Sequence, residues 1–358
     1  NITNDNDMKN YKAYRGEVMF MRAYAYYRLV QAFGAVTILR DNNQTDLSRS
    51  TANAVNKYAL EDLQYGIDNM PRIRPNQNEH KGAVTAFSAE MLAAKIHLNM
   101  GNYAKVEELT DDIIEHGNFS LYPDFYQLFK IPGKLCDESI FESQMTDFGN
   151  GSGDLIDPGE WFTCQGPKNS GSNINGCGDC GILKSFRDWA YDRGETIRAT
   201  TSFLMADSTT PDGDYIKPQT NPTNTDCWNG KAYTPLNQLT PGRTKYGTNN
   251  NVRIFRYADV LLMNAEAKIK NGKSGHAPFN EVRRRAQMPE LTNVTFEQVI
   301  DERRMELVCE WGERYNDLVR TGLAKTELKG WSEDKALLPL PFNQYTQIPD
   351  LLKEPKDE

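Results

Sequence analysis

The stretch "LAAKIHLNMGNYAKVEELTDDIIEHGNF", residues 92–119, constrains the fold more than any other part of the chain. A run of small and apolar residues at helical spacing stops at Met100-Gly101, and a second amphipathic run starts at once, with Tyr103 near the turn. Glycine directly after a periodic run is a helix-stop signal. The spacing therefore predicts two helices joined by a tight turn, and the same punctuation recurs upstream. Helices are predicted over residues 8–33, 51–70, 84–100 and 102–116, with Gly34, Pro71 and Gly101 between them.

A second hairpin follows far downstream, where "RYADVLLMNAEAKIKNGKSGHAPFNEVRRRAQ" runs a helix into Gly272 and resumes after Ala277. A half-unit of similar character occupies residues 15–34. These units have the helix–turn–helix form of tetratricopeptide repeats, but they do not recur at the roughly 34-residue period of a tandem array. The expected fold is all-α, with tetratricopeptide-like hairpins as a scaffold and loop-rich insertions plus short helices on the other side. We expect one domain over 1–358: a helical framework at 8–145 and 252–325, a loop-rich insertion at 147–251 and a C-terminal tail at 326–358. Residues 147–180 hold eight glycines and three of the six cysteines, and 207–251 are equally polar and turn-rich. Loops of this length inside a compact protein tend to carry function.

Residues 300–322, "IDERRMELVCEWGERYNDLVRTG", place ten charges among 23 residues beside an apolar stripe. Thr295 and Gln298 form a capping box ahead of it. Phe296, Val299, Ile300, Leu307, Val308 and Trp311 then fall near one helical face, and Gly312 ends or interrupts the helix. Arg303 with Glu306, Asp317 with Arg320, and Glu310 with Arg314 are spaced to pair. Such pairs form either a weakly stabilised exposed face or a partly buried network that fixes how the helix docks. Leu307, Ile300 and Trp311 are assigned to the core.

Charge and motifs exclude several functions. With 41 basic against 49 acidic residues the net charge is -8, which argues against a phosphate-backbone binder. No apolar run reaches the roughly 18 residues of a spanning helix. "NGKSG" at 271–275 lacks the glycine and the strand that a phosphate loop needs. The four histidines lie on different segments without a His-x-x-x-His pair, and no nucleophile elbow follows a strand, so neither metal nor cofactor chemistry is expected. Cys177 and Cys180 form a single Cys-x-x-Cys, with Cys164 and Cys227 nearby. A zinc site would want a second such pair, so disulfides among these four are the favoured expectation for an exported chain, with three pairings open. Cys136 and Cys309 read as buried thiols.

The segments "RGEVMFMRAYAYYRLVQAFGAVTIL", "RIFRYADVLLMNAEAKIKNG", "EVRRRAQMPELT", "VIDERRMELVCEWGERYNDLVRTG" and "LLPLPFNQYTQIPDLL" occur in this order over residues 15–352. Together they resemble the SusD/RagB family of nutrient-binding outer-membrane lipoproteins. The resemblance implies a cell-surface protein held in the outer membrane by a lipid on an N-terminal Cys. It also implies a SusC-like TonB-dependent transporter as partner, oligosaccharide or in some members peptide as ligand, and no catalysis. Family members usually carry an anchor segment and a further helix before the first of these motifs. This chain begins with Asn about fifteen residues before it, which reads as a processed or truncated form with the lipidated Cys unassigned.

Ligand binding is expected on the loop side. Trp161 and Trp228 sit among short polar residues, "DPGEWFTC" and "TDCWNGKAY", and a flat aromatic ring suits the CH face of a sugar. Glu160, Asn229, Lys231 and Tyr233 are the candidate hydrogen-bonding partners around them. Two rival functions remain: a tetratricopeptide scaffold that binds a peptide in its groove, and a glycoside hydrolase using loop acids such as Asp154, Asp157 and Glu160.

Overall fold

A computed structural model of the chain describes residues 4–145, 161–168, 176–178, 180–217, 226–240 and 248–357. Among the described residues, helices dominate. They run in chain order α1 (Asp5–Phe33), α2 (Ala52–Asn69), α3 (Ala86–Asn99), α4 (Tyr103–His116), α5 (Phe125–Leu128), α6 (Lys184–Asp192) and α7 (Ile197–Ser202). After a gap come α8 (Tyr257–Lys270), α9 (His276–Arg285), α10 (Phe296–Glu306), α11 (Glu313–Arg320), α12 (Ala324–Glu327) and α13 (Phe342–Gln347). Strands are short: β1 (Ser139–Ser143), β2 (Phe203–Met205), β3 (Ser208–Thr209), β4 (Tyr215–Ile216), β5 (Cys227–Asn229) and β6 (Val252–Arg256). They pair antiparallel two by two, as β1–β6, β2–β5 and β3–β4. The fold is all-α, and its strands are local braces.

The residues divide into two compact units, one of Asn1–Ile73, Ala83–Gly117 and Arg314–Glu358, the other of Arg74–Gly82 and Asn118–Glu313. In the first, α1 packs on α2, α2 on α3 and α3 on α4. The α1–α2 contact is close because two glycines meet there: a Cβ on Gly16 would lie 2.7 Å from Met70 Cγ and 3.3 Å from Gly66 Cα. Arg22 locks the same pair of helices by a two-pronged bond to Asp62, each arm 2.7 Å. Helix α3 is buried around almost its whole circumference, which suits its run of alanines. It ends at Gly101, whose φ of 71° lies in the left-handed region, and Asn102 caps α4 by accepting from the Lys105 amide. The tail returns to this unit, where the Leu338 amide donates to Ala32 and the Lys356 amide to Arg49.

In the second unit α8 is the buried central helix, entered directly from β6 and covered by α9 and α10. The capping box of Thr295 and Gln298 forms as expected. Helix α10 ends at Glu306, earlier than the apolar pattern suggested. Cys309 (φ 63°), Trp311 (φ 33°) and Gly312 (φ 78°) all take left-handed backbone, which an α-helix cannot contain. Ile300 and Leu307 are buried, as expected, but Trp311 falls in this break and is only half-buried.

The charges of α10 form a buried network. Arg198 reaches Glu195 at 2.5 Å, Glu302 at 2.7 Å and Glu306 at 3.3 Å, with all four side chains fully buried. Arg256 reaches Glu138 at 2.6 Å, Glu310 at 2.8 Å and Glu306 at 3.1 Å, and Arg285 also bonds Glu138 and Glu306. Some partners differ from the local spacing. Asp317 and Arg320 do pair, at 2.7 Å, but Arg303 reaches Asp259 and Glu313, while Glu310 pairs with Lys231 and Arg256 and Arg314 with Glu327. Burial by itself would raise the Glu306 carboxyl, yet Arg285, Arg256, Arg198 and Lys231 overcome it and hold that group down at about 2. Glu306 is thus an ionised structural anchor at neutral pH.

Candidate functional site

The second unit carries a pair of tryptophans brought together from residues 150 positions apart in the chain. The rings of Trp161 and Trp311 stack with centroids 4.8 Å apart and planes 24° from parallel, and both side chains are half-buried. A cavity of about 20 Å³ lies beside them, lined by Phe129, Lys231, Arg253, Cys309, Glu310 and neighbouring residues. That is room for about one water, so a larger ligand would rest on the pair instead of entering between these side chains.

Each ring is held by its own turn. Trp161 opens a tight turn in which the Gln165 and Gly166 amides donate to Phe162 and the Gln165 side chain donates back to the Trp161 carbonyl at 2.8 Å. Trp311 sits in the left-handed break after α10, and its indole N–H donates to the Arg253 carbonyl at 2.8 Å. Asn229 ties the two turns to each other. Its amide group donates to Gln165 Oε1 at 2.8 Å and to the Cys309 carbonyl at 3.1 Å, while its oxygen accepts from the Lys231 and Ala232 amides. Both donors and the acceptor of this buried side chain are spent, so Asn229 is a positioning residue and not a ligand contact.

The floor of the site is ionic and self-satisfied. The Lys231 ammonium donates to the Glu306 carbonyl at 2.7 Å and to Glu310 at 2.6 Å, and lies over the Phe129 ring at 4.7 Å. Burial leads in pulling its pKa below the ordinary lysine value. Arg253, also lowered by burial, donates to Asn250 Oδ1 and to the carbonyls of Asn251 and Lys130. Lys231, expected as a sugar partner, lines the cavity beside the pair with its ammonium committed to Glu306 and Glu310 and lying over Phe129.

Trp228 does not form a platform. It is 0% exposed, in a core cluster with Leu204, Ile216 and Tyr233 against Phe162 and Ala206. The reason is the pairing of β5 with β2, which sets Trp228 opposite Leu204. Alternation along the strand then sends Cys227 into a separate cluster with Ala190, Ala199, Phe203 and Met305. Tyr233 is buried in the Trp228 cluster with its hydroxyl donating to Asp214. Glu160, like Asp154 and Asp157, lies outside the described residues. Of the expected site residues with aromatic rings, Trp161 alone stays part-exposed, and it stacks on Trp311, which the sequence assigned to the core. The signal that could have found it was Gly312, a break residue directly after Trp311 that takes left-handed backbone between α10 and α11.

All six cysteines are free thiols, contrary to the disulfide expectation. Cys164, Cys177 and Cys180 are exposed, whereas burial lifts Cys136 to about 11 and Cys309 to about 12, out of the reactive range. Among the described residues no group of three or more His, Cys, Asp or Glu is placed to hold a metal ion.

Two family models match the chain, one described as the SusD family over residues 182–337 and one as starch-binding, associating with outer membrane, over residues 1–98. A SusD-like protein of Bacteroides ovatus is 24% identical over 349 aligned positions, covering 84% of this chain and 57% of that protein. The starch-binding protein SusD of Bacteroides thetaiotaomicron is 36% identical over 81 residues, 22% of this chain and 14% of that one. The chain thus spans little more than half the length of the Bacteroides ovatus relative. Among solved structures, surface glycan-binding protein A of Bacteroides thetaiotaomicron in complex with laminarihexaose superposes with a TM-score of 0.80 at 24% identity, over 95% of this chain and 77% of that one.

Proposed function

Since the chain belongs to the SusD/RagB family, we propose that it is a glycan-binding protein of the outer-membrane surface, which captures an oligosaccharide and passes it to a SusC-like TonB-dependent transporter. In this reading a lipid on an N-terminal Cys anchors the protein, and the binding surface is the Trp161 ring backed by Trp311. The observation that carries it is the stacked pair itself: two large aromatic rings, only half-buried, on loop turns that Asn229 holds in register. A sugar ring offers an apolar CH face to such a surface and leaves its hydroxyls to the rim. Binding without catalysis is in keeping with the described carboxylates on this side of α10, of which Glu310 lines the cavity beside the pair. Glu306 and Glu310 are both neutralised by arginine and lysine, so neither is placed to exchange a proton with a glycosidic oxygen.

Covering about 80 Å² of apolar ring surface at roughly 25 cal/mol per Å² stabilises the complex by about 2 kcal/mol, more than tenfold in affinity. Calorimetric titration with laminarihexaose and maltohexaose on the parent, Trp161→Ala and Trp311→Phe measures this. The expected result is a loss beyond tenfold for Trp161→Ala and a smaller one for Trp311→Phe. Parental affinity in a folded Trp161→Ala variant would place the glycan elsewhere.

A further inference from the structure

The first unit has a charge cluster of its own, where the turn after α2 meets α3 and α4. Arg72 of that turn lays its guanidinium over the Phe87 ring, 4.7 Å from the centroid. One of its arms donates to Glu90 of α3 at 2.5 Å and the other to Asp112 of α4, so a single cation spans both helices of the hairpin. His116, one turn further along α4, bonds the other oxygen of Asp112 at 2.9 Å. The two acids differ in depth: the Glu90 side chain is 3% exposed and that of Asp112 36%.

Glu90 Oε2 is enclosed and receives no N–H or O–H from a neighbour, yet the Glu90 and Asp112 side chains lie close enough to share a hydrogen bond. Ionised carboxylates only accept, so a proton between the two completes that bond. The proton belongs on Glu90. Burial first, and Asp112 after it, lift this carboxyl to about 7 against the pull of Arg72. Against its own burial, Asp112 is held below the ordinary aspartate value by Arg72, Glu90 and His116. The two directions agree: the deeper acid keeps the proton and donates it, and the shallower one accepts. Buried charges elsewhere on the packed helices are Lys95 of α3 and Glu107 of α4, each five residues along from the pair, and Asp62 of α2, which is committed to Arg22. Glu108, one turn before Asp112, pairs with Lys105.

We propose that Arg72, Glu90 and Asp112 form a proton-operated clasp on the α3–α4 hairpin, closed while one proton bridges the two acids and loosened when it leaves. The clasp stands whether or not the tryptophan pair binds a glycan. Its sign follows from where the proton sits. A carboxyl raised in the folded protein is neutral in both states well below pH 4.5, so its full stability is present there and is lost as pH climbs from 4.5 through about 7. Glu90→Gln puts a neutral group in place of the protonated acid, one that still donates one bond and accepts another. In urea the variant should unfold close to the parent at pH 4.5 and resist better at about pH 8.5, by on the order of 100-fold in the folding equilibrium, since each unit of raised pKa is worth tenfold. Native-state hydrogen exchange, corrected for its intrinsic pH dependence, should show the amides of α4 losing protection between about pH 6 and 8 in the parent and keeping it in Glu90→Gln. A carboxyl carbon-13 NMR titration of the parent reads the group directly, and its midpoint near 7 should persist in His116→Gln. A Glu90 midpoint below about 5.5 overturns the proposal. So does a neutral step that disappears in His116→Gln, which would assign the titration to the imidazole, or a folded Glu90→Gln that is no more stable than the parent at about pH 8.5.

Discussion

Replacing Glu306 by Gln tests whether the buried network or the apolar stripe holds α10 in place. The substitution keeps shape and removes one charge from the centre of a fully enclosed cluster. Three arginines then lose a partner, though not equally. Arg198 keeps Glu195 at 2.5 Å and Glu302 at 2.7 Å, Arg256 keeps Glu138 and Glu310, and Arg285 keeps Glu138 at 2.9 Å. Removing one member of a buried pair costs about 3–5 kcal/mol, and the surviving partners favour the low end. The titration of the group gives a similar figure. Its carboxyl falls from 4.5 to about 2, and at about 1.4 kcal/mol per pH unit that amounts to about 3 kcal/mol of preference for the charged form.

The sign of the pH dependence follows from that depression. A carboxyl whose folded pKa lies below its unfolded value contributes fully above pH 4.5 and loses the contribution as pH falls toward about 2. Urea unfolding of parent and Glu306→Gln should therefore differ by about 3 kcal/mol at pH 7 and converge progressively below pH 4.5. A difference under about 0.5 kcal/mol at pH 7, the range of ordinary surface substitutions, would mean that the cluster is a passenger and that packing of Val299, Ile300 and Leu307 positions the helix.

Asn229→Ala removes both ties between the tryptophan turns, so ligand affinity should fall at least threefold in a protein that still melts cooperatively; unchanged affinity in calorimetry would show that the turns hold themselves. Trp228→Ala should cost about 3–5 kcal/mol as a large-to-small core change, and a thermal melt equal to the parent's would contradict its burial. Denatured, unreduced protein should titrate with six thiols, three of them (Cys164, Cys177 and Cys180) reactive before denaturation; a count of two would restore the disulfides among Cys164, Cys177, Cys180 and Cys227.

The helical framework was legible because its signals are local. Thr51, Asn102 and Thr295 cap helices where the sequence places them, and Gly101 turns the chain at the expected residue. The end of α10 was not legible, since Leu307, Val308 and Trp311 continue a helical period that the backbone abandons. Periodicity records which side chains are apolar, not the φ angles of Cys309 and Trp311. The ion pairs divide in the same way. Asp317 and Arg320 are neighbours on one helix and were found, whereas Arg256–Glu138 and Arg198–Glu306 join residues more than a hundred positions apart.

The two loop tryptophans show why a site is harder to read than a scaffold. Both stand among short polar residues, and by composition neither belongs to a core. Their fates diverge through contacts that no local window contains: β2 pairs with β5 across 21 intervening residues and carries Trp228 into a cluster with Leu204 and Ile216. Trp161 remains at the surface because its turn is tethered through Gln165 to Asn229, and Asn229 through the Cys309 carbonyl to the break that presents Trp311. The residue expected to bond a sugar thus bonds the Gln165 side chain and the Cys309 carbonyl, and so joins the two tryptophan turns. Burial of Asn229 and the partial exposure of Trp161 are parts of one arrangement, since the amide that is fully used inside holds the turn whose ring stays half-open to solvent.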